Sequence, residues 1–157
     1  MPLRQWSLFF SGSTGVGLEP SSEGIDILKR HHEDSCSINF VRGSAHQIPF
    51  PSNKFDLVTA WSVLHWIGRD EYMQALGELV RVTGSYLVIM DFHPLFPYRT
   101  QYSHKKEYFT FKHDFEPVVL TTGIMRRVAS SQWRVGQNRI IVVHDDDRSP
   151  FTGNPVN

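Results

Sequence analysis

The chain has 157 residues, which suits one domain, and a 40% hydrophobic content supports a packed core and excludes a disordered chain. Lys+Arg and Asp+Glu both number 16, so a net charge of zero gives no long-range attraction for nucleic acid or an anionic membrane. The lone Cys36 excludes an internal disulfide and a CxxC metal or redox site, which predicts a reduced, cytoplasmic protein.

Met1 to Phe10 has one Arg and no long apolar stretch, so it is a poor signal peptide. Gly15 to Glu19 (GVGLE) is predicted as a short strand ending in an acidic residue. Pro20-Ser21-Ser22 supplies turn and cap chemistry, and Ile25, Leu28 and His32 follow at helical spacing. Ser37 to Val41 is the next strand. A loop with two prolines, Gln47 to Asn53, precedes a third strand, Phe55 to Trp61, inside which Asp56 is expected to be buried and hydrogen-bonded.

Asp70 is placed to cap the next helix, whose apolar face is Tyr72, Leu76, Leu79 and Val80, and Gly84 to end it in a left-handed conformation. Tyr86 to Met90 (YLVIM) is apolar on both faces, as a buried parallel strand is, and is far too short to span a bilayer. Asp91 closes it. Pro94 to Phe115 is rich in aromatic, His and Lys residues without a clean period. Gly123 to Trp133 and Arg139 to His144 form an antiparallel hairpin across a short link, and the polar residues 145–157 form a tail. Residues 1–144 are thereby expected to form a single, incomplete domain.

The alternation of strands and helices is the pattern of an α/β layered fold, in which ligands bind beyond the carboxyl ends of the strands. Within it, GVGLEPS, VRGSAHQIPFPSNKFDLVTAWSVLHWI and ELVRVTGSYLVIMDF, between Gly15 and Asp91, resemble the class I S-adenosylmethionine-dependent methyltransferases of the type 11, small-molecule kind. The resemblance implies a Rossmann-like sheet, mostly parallel with a C-terminal antiparallel hairpin, S-adenosylmethionine as cofactor and a small-molecule methyl acceptor. It also implies roles for particular residues. Glu19 would bind the ribose hydroxyls, with a solvated carboxylate near a helix start as the plain alternative. Ser44 and Ala45 stand where the family contacts adenine; the more usual residue at 44 is Asp, and Ser is neutral and shorter. Ala60, Trp61 and Ser62 would pack backbone and apolar surface against the cofactor.

His65 and Trp66 resemble the family's His-Trp pair, lining the methyl-transfer pocket; alternatively Trp66 fills the core and His65 is its satisfied polar neighbour. His65 and His93 are the candidate general bases, needed only if the acceptor is protonated at neutral pH. The segment with Tyr102, His104, Lys105, Lys106, Tyr108, Phe109, Phe111, Lys112 and His113 mixes bases and aromatics as a nucleic-acid surface does. Its position in the family is that of a substrate lid. No metal site is expected: His31, His32, Glu33 and Asp34 are adjacent and point in different directions on a helix.

The family's Asp-x-Gly-x-Gly loop, with its strand and helix, has no counterpart in the sequence. Gly12, Gly15 and Gly17 imitate a glycine-rich loop, but Val16 to Glu19 is itself strand and no helix follows directly. Five residues, Ser11 to Gly15, are too few for a parallel crossover, so Leu3 to Phe10 would have to enter the sheet antiparallel or leave its centre open. The expectation is that the first strand and helix are missing or replaced, that the chain is truncated or degenerate, and that cofactor binding is weak or absent. The alternative is a non-catalytic, methyltransferase-like protein that forms a homo-oligomer or binds a protein partner through its open sheet.

Overall fold

A computed structural model of the chain describes residues 14–31, 38–92, 94, 96–132 and 138–145. Leu3 to Phe10, Gly12, His93 and the polar tail beyond Asp145, for which the sequence carries expectations, lie outside the described residues. The molecule divides into two compact units, residues 1–44 and 45–157.

The first unit is a βαβ arrangement. β1 (Gly15–Glu19) pairs in parallel with β2 (Ile38–Arg42), and α1 (Ser22–His31) connects them. The expected start of α1 is correct in its chemistry: the Ser21 hydroxyl accepts the backbone N–H of Gly24 at 2.9 Å, satisfying one of the open donors of the first turn. Glu23 in the first turn and Lys29, Arg30 and His31 in the last complement the helix dipole. Ile25 is the buried residue of this helix.

In the second unit, β3 (Phe55–Trp61) and β4 (Thr83–Phe92) are parallel, and β4 continues antiparallel to β8 (Asn138–Asp145), which pairs with β7 (Met125–Gln132). The order β3-β4-β8-β7 places β4 inside the sheet. Its side chains Leu87 and Ile89 are fully buried, which explains why YLVIM carries no polar face. The expected C-terminal antiparallel hairpin is β7–β8. The parallel crossover from β3 to β4 runs through a 3-10 turn, Leu64–Trp66, and α2 (Tyr72–Val82). That helix buries Ala75, Leu76, Leu79, Val80 and Val82.

Three local expectations are corrected. Asp56 is exposed near the start of β3, although it shares the strand's parity with buried Ala60, because burial on that face begins only further along the strand. The cap position of α2 is Glu71 rather than Asp70, and no side chain bonds across it. Gly84 lies in β4 outside the left-handed region; a Cβ there would come within 3.2 Å of the Asn53 carbonyl oxygen. The glycine suits a close backbone approach, where a Cβ would be crowded. Its neighbour Asn53, in the proline loop, is left-handed, with φ 56°, and its N–H donates to the Arg81 carbonyl at 2.8 Å.

Pro94 to Phe115, where no period is visible in the sequence, holds an antiparallel hairpin of β5 (Tyr98–Gln101) and β6 (Phe109–Lys112). α3 (Glu116–Thr121) follows it. Among the described residues no helix is long and apolar enough to cross a membrane.

Candidate functional site

The carboxyl ends of β3 and β4 converge on one group of side chains. At the end of β3 the chain turns sharply: Ser62 adopts φ 52°, a conformation L-residues rarely hold, and its N–H donates to the Met90 carbonyl at 2.8 Å. That bond ties the turn to β4. Strain of this kind, of order 1–3 kcal/mol, persists only where the surroundings enforce it, and it clusters at functional sites.

The turn delivers His65 to Asp91. The His65 backbone N–H donates to Asp91 Oδ2 at 3.2 Å, and the ring Nδ1 lies 2.9 Å from Asp91 Oδ1. Asp91 Oδ1 also accepts the Phe92 N–H at 2.8 Å. Both side chains are buried. A carboxylate can only accept, so Nδ1 carries a proton, and in the neutral ring Nε2 then presents a lone pair. Nε2 has no hydrogen-bond partner among the described residues. Phe92 meets the His65 ring edge-on at 5.1 Å, and Trp66 lies 5.1 Å away on another side. Trp66 is 45% exposed and packs against Tyr102, so it lines a surface and does not fill the core.

β6 packs beside this turn. His113, just past the strand, places Nε2 3.1 Å from the Ile67 carbonyl and stacks on Tyr72 at 4.2 Å. Lys112 is buried, with Nζ 3.2 Å from the centre of the Phe92 ring and donating to Thr110 Oγ1 at 3.1 Å. Burial pushes its ammonium below the usual lysine range, and the negative charge of Asp91 opposes that shift.

In the first unit, Glu19 ends β1 as expected. Its Oε1 accepts the Ser21 N–H at 3.0 Å and the Ser21 hydroxyl at 2.8 Å. A Cβ on Gly24 would fall 2.6 Å from Oε1, so the glycine makes the space in which the carboxylate rests. Oε2 accepts no hydrogen bond among the described residues. Ser44, also in this unit, is half-buried. In the second unit Ala45 is half-buried, Ala60 is buried and Trp61 is 41% exposed. The Ser62 N–H, spent on Met90, is unavailable to a ligand. Among the described residues no group of His, Cys, Asp and Glu is arranged to hold a metal ion.

Sequence reasoning singled out His65 but treated Asp91 as the end of a strand and Lys112 as one of many bases in a lid. The signal for Asp91 is present: a carboxylate directly after a doubly buried strand is a costly residue that needs partners. For Lys112 there is none, because its burial depends on how the hairpin folds back.

Parallel βα units whose polar residues gather at the strand ends, followed by an antiparallel β7–β8 pair, define the fold of an S-adenosylmethionine-dependent methyltransferase. The magnesium protoporphyrin IX methyltransferase of Synechocystis PCC 6803, solved with S-adenosylmethionine bound, superposes with TM-score 0.64 at 15% identity, over 86% of this chain and 61% of that one. A Methanosarcina mazei S-adenosylmethionine-dependent methyltransferase gives 0.63 at 15% identity, over 83% and 81%.

The methyltransferase domain family matches residues 3–89, more than half of the sequence, and the chain belongs to that class I S-adenosylmethionine-dependent family. It is 36% identical over 110 residues to a demethylmenaquinone methyltransferase of Renibacterium salmoninarum, covering 59% of this chain and 44% of the relative. It is 31% identical over 86 residues to a fatty-acid O-methyltransferase of Mycolicibacterium smegmatis, covering 54% and 31%. The chain thus spans less than half the length of these relatives.

Proposed function

We propose that the protein transfers a methyl group from S-adenosylmethionine to a small-molecule acceptor, with His65 as general base and Asp91 as its positioning residue. The observation that carries this reading is the buried His65–Asp91 pair, 2.9 Å apart, at the joint carboxyl ends of two parallel strands in a chain of this family. Two relatives are named for demethylmenaquinone and fatty-acid acceptors, which supports a small molecule over a macromolecule. Bound cofactor would supply a methyl group already activated on a sulfonium.

The residues present fit the adenosine half of that cofactor. Glu19, held by Ser21 in the space above Gly24, keeps one carboxylate oxygen for a ribose hydroxyl. Ser44, in the same unit as Glu19, would meet adenine. The methionine half is served in this family by a glycine-rich loop, and no such motif occurs in these 157 residues. The chain's own share of the chemistry is to position the acceptor, hold its proton and exclude water. His65 Nε2 takes the acceptor proton, Asp91 keeps the ring in the tautomer able to do so, and Trp66, Phe92 and Tyr102 exclude water.

Calorimetric titration with S-adenosylhomocysteine tests the reading. Binding weaker than micromolar is expected for these 157 residues, weakened further in Glu19→Ala. No heat at millimolar ligand, or a Glu19→Ala variant that binds equally well, would sink it.

A further inference from the structure

β6 is an inverted strand. In the run Phe109-Thr110-Phe111-Lys112 the two aromatics are the more exposed residues, whereas Thr110 and Lys112 are buried. Alternation would ordinarily turn phenylalanine inward and lysine outward. Here Lys112, a residue only 5% exposed, lays its ammonium on the face of Phe92, whose ring meets the His65 ring edge-on. An ammonium has three N–H donors. One goes to Thr110, and among the described residues no carboxylate forms an ion pair with the group. Asp91, the anion that acts on it, is occupied by the His65 N–H, the His65 ring and the Phe92 N–H. A buried, incompletely paired cation is destabilising for a fold, and the cost is repaid when an anion arrives.

We propose that Lys112 is the anion-binding residue of the acceptor site, so that the acceptor class is an acidic O–H compound: a phenol, an enol or a carboxylic acid. The inference rests on the methyl-transfer reading above and gives it a substrate class. The hairpin β5–β6 lays the ammonium beside the His65–Asp91 pair, so an acceptor oxygen held there meets base and counter-charge together. For a protonated acceptor, the O–H proton passes to His65 Nε2. The oxygen lone pair then forms the bond to the methyl carbon as the carbon–sulfur bond breaks, its electron pair remaining on sulfur. The products are a methyl ether or ester, a neutral thioether and a protonated imidazole. An acceptor already ionised, such as a carboxylate, omits the proton transfer and still requires the ammonium. Thr110, through its hydroxyl, keeps Lys112 aimed inward.

The test uses 4-nitrophenol, whose neutral and anionic forms absorb differently, with the whole chain in excess across the acid-to-neutral range. Bound probe is expected to ionise about one pKa unit lower than free probe, a tenfold preference for the anion. Lys112→Met, which keeps the stem volume, is expected to abolish the shift, and Lys112→Arg to retain it. Circular dichroism establishes that each variant is folded; if Lys112→Met is not, the wild-type shift and the Arg variant decide. An unshifted or unbound probe in the wild type, or an equal shift in folded Lys112→Met, overturns the proposal. Calorimetry with S-adenosylhomocysteine on the same samples separates the two readings. A Lys112-dependent shift without cofactor heat supports the anion site and counts against methyl transfer; cofactor heat without a shift rejects the anion site alone.

Discussion

Asp91 carries more of this molecule's chemistry than its place at the end of an apolar strand suggests. It accepts two buried bonds from His65 and a part-buried one from the following backbone N–H. A neutral amide at this position can offer an N–H to Nδ1 and stabilise the wrong tautomer. In methyl-transfer assays of the protein, Asp91→Asn should lower kcat by about 10²–10⁴-fold. Cofactor affinity should be unchanged, since Asp91 acts through His65. A proportional rise in cofactor Kd would instead point to a collapsed site. Ser62 complements this pair: its left-handed turn brings the 3-10 segment under β4, where the His65 N–H meets Asp91 Oδ2.

At the scale of elements, the proline loop ahead of β3 is pinned by two side chains of α2. Glu78 accepts the Ile48 N–H at 2.8 Å and Arg81 at 2.8 Å, while Arg81 also donates to the Ile48 and Phe50 carbonyls at 3.0 and 2.7 Å. The hydrogen bond from Arg81 holds the Glu78 carboxyl below the usual carboxylate range, and the same contact raises Arg81. A depressed carboxylate pKa contributes stability that is present above its unfolded value and lost as pH falls through the folded value. Glu78→Gln should therefore lower Tm at neutral pH by about 2–4 °C. The gap should close as pH falls below the unfolded carboxylate pKa. A Tm difference independent of pH would show that packing, and not charge, sets the contribution.

Across the whole molecule the apolar core is unevenly shared. Ile25 is the one buried side chain among the described residues of the first unit, whereas in the second Leu64, Leu76, Leu87, Ile89, Phe115 and Val119 are almost wholly inaccessible. Local opening free energy follows buried apolar contact and backbone bonding. Hydrogen exchange should accordingly show the amides of β4 most protected and those of β1 and β2 exchanging at least tenfold faster. Equal protection in both would contradict this distribution.

Short-range physics accounts for what the sequence by itself determined. Period-two and period-3.6 patterns predict β1, β3, α2 and the hairpin β7–β8 to within a few residues, and the spacing of GVGLEPS, Phe-Asp-Leu-Val and Leu-His-Trp points to the methyltransferase family. These signals are local, and each survives without knowledge of where the rest of the chain lies. The tertiary structure decided what depends on distance along the chain. Asp91 meets His65 across 26 residues because two parallel strands end together. Gly84 meets a close backbone neighbour in the Asn53 turn and does not cap a helix. Lys112, one base among several in an aperiodic segment, becomes a buried cation only when β5 and β6 pair. Periodicity shows which face of an element is apolar; it does not show which polar residue a returning hairpin will press against a ring.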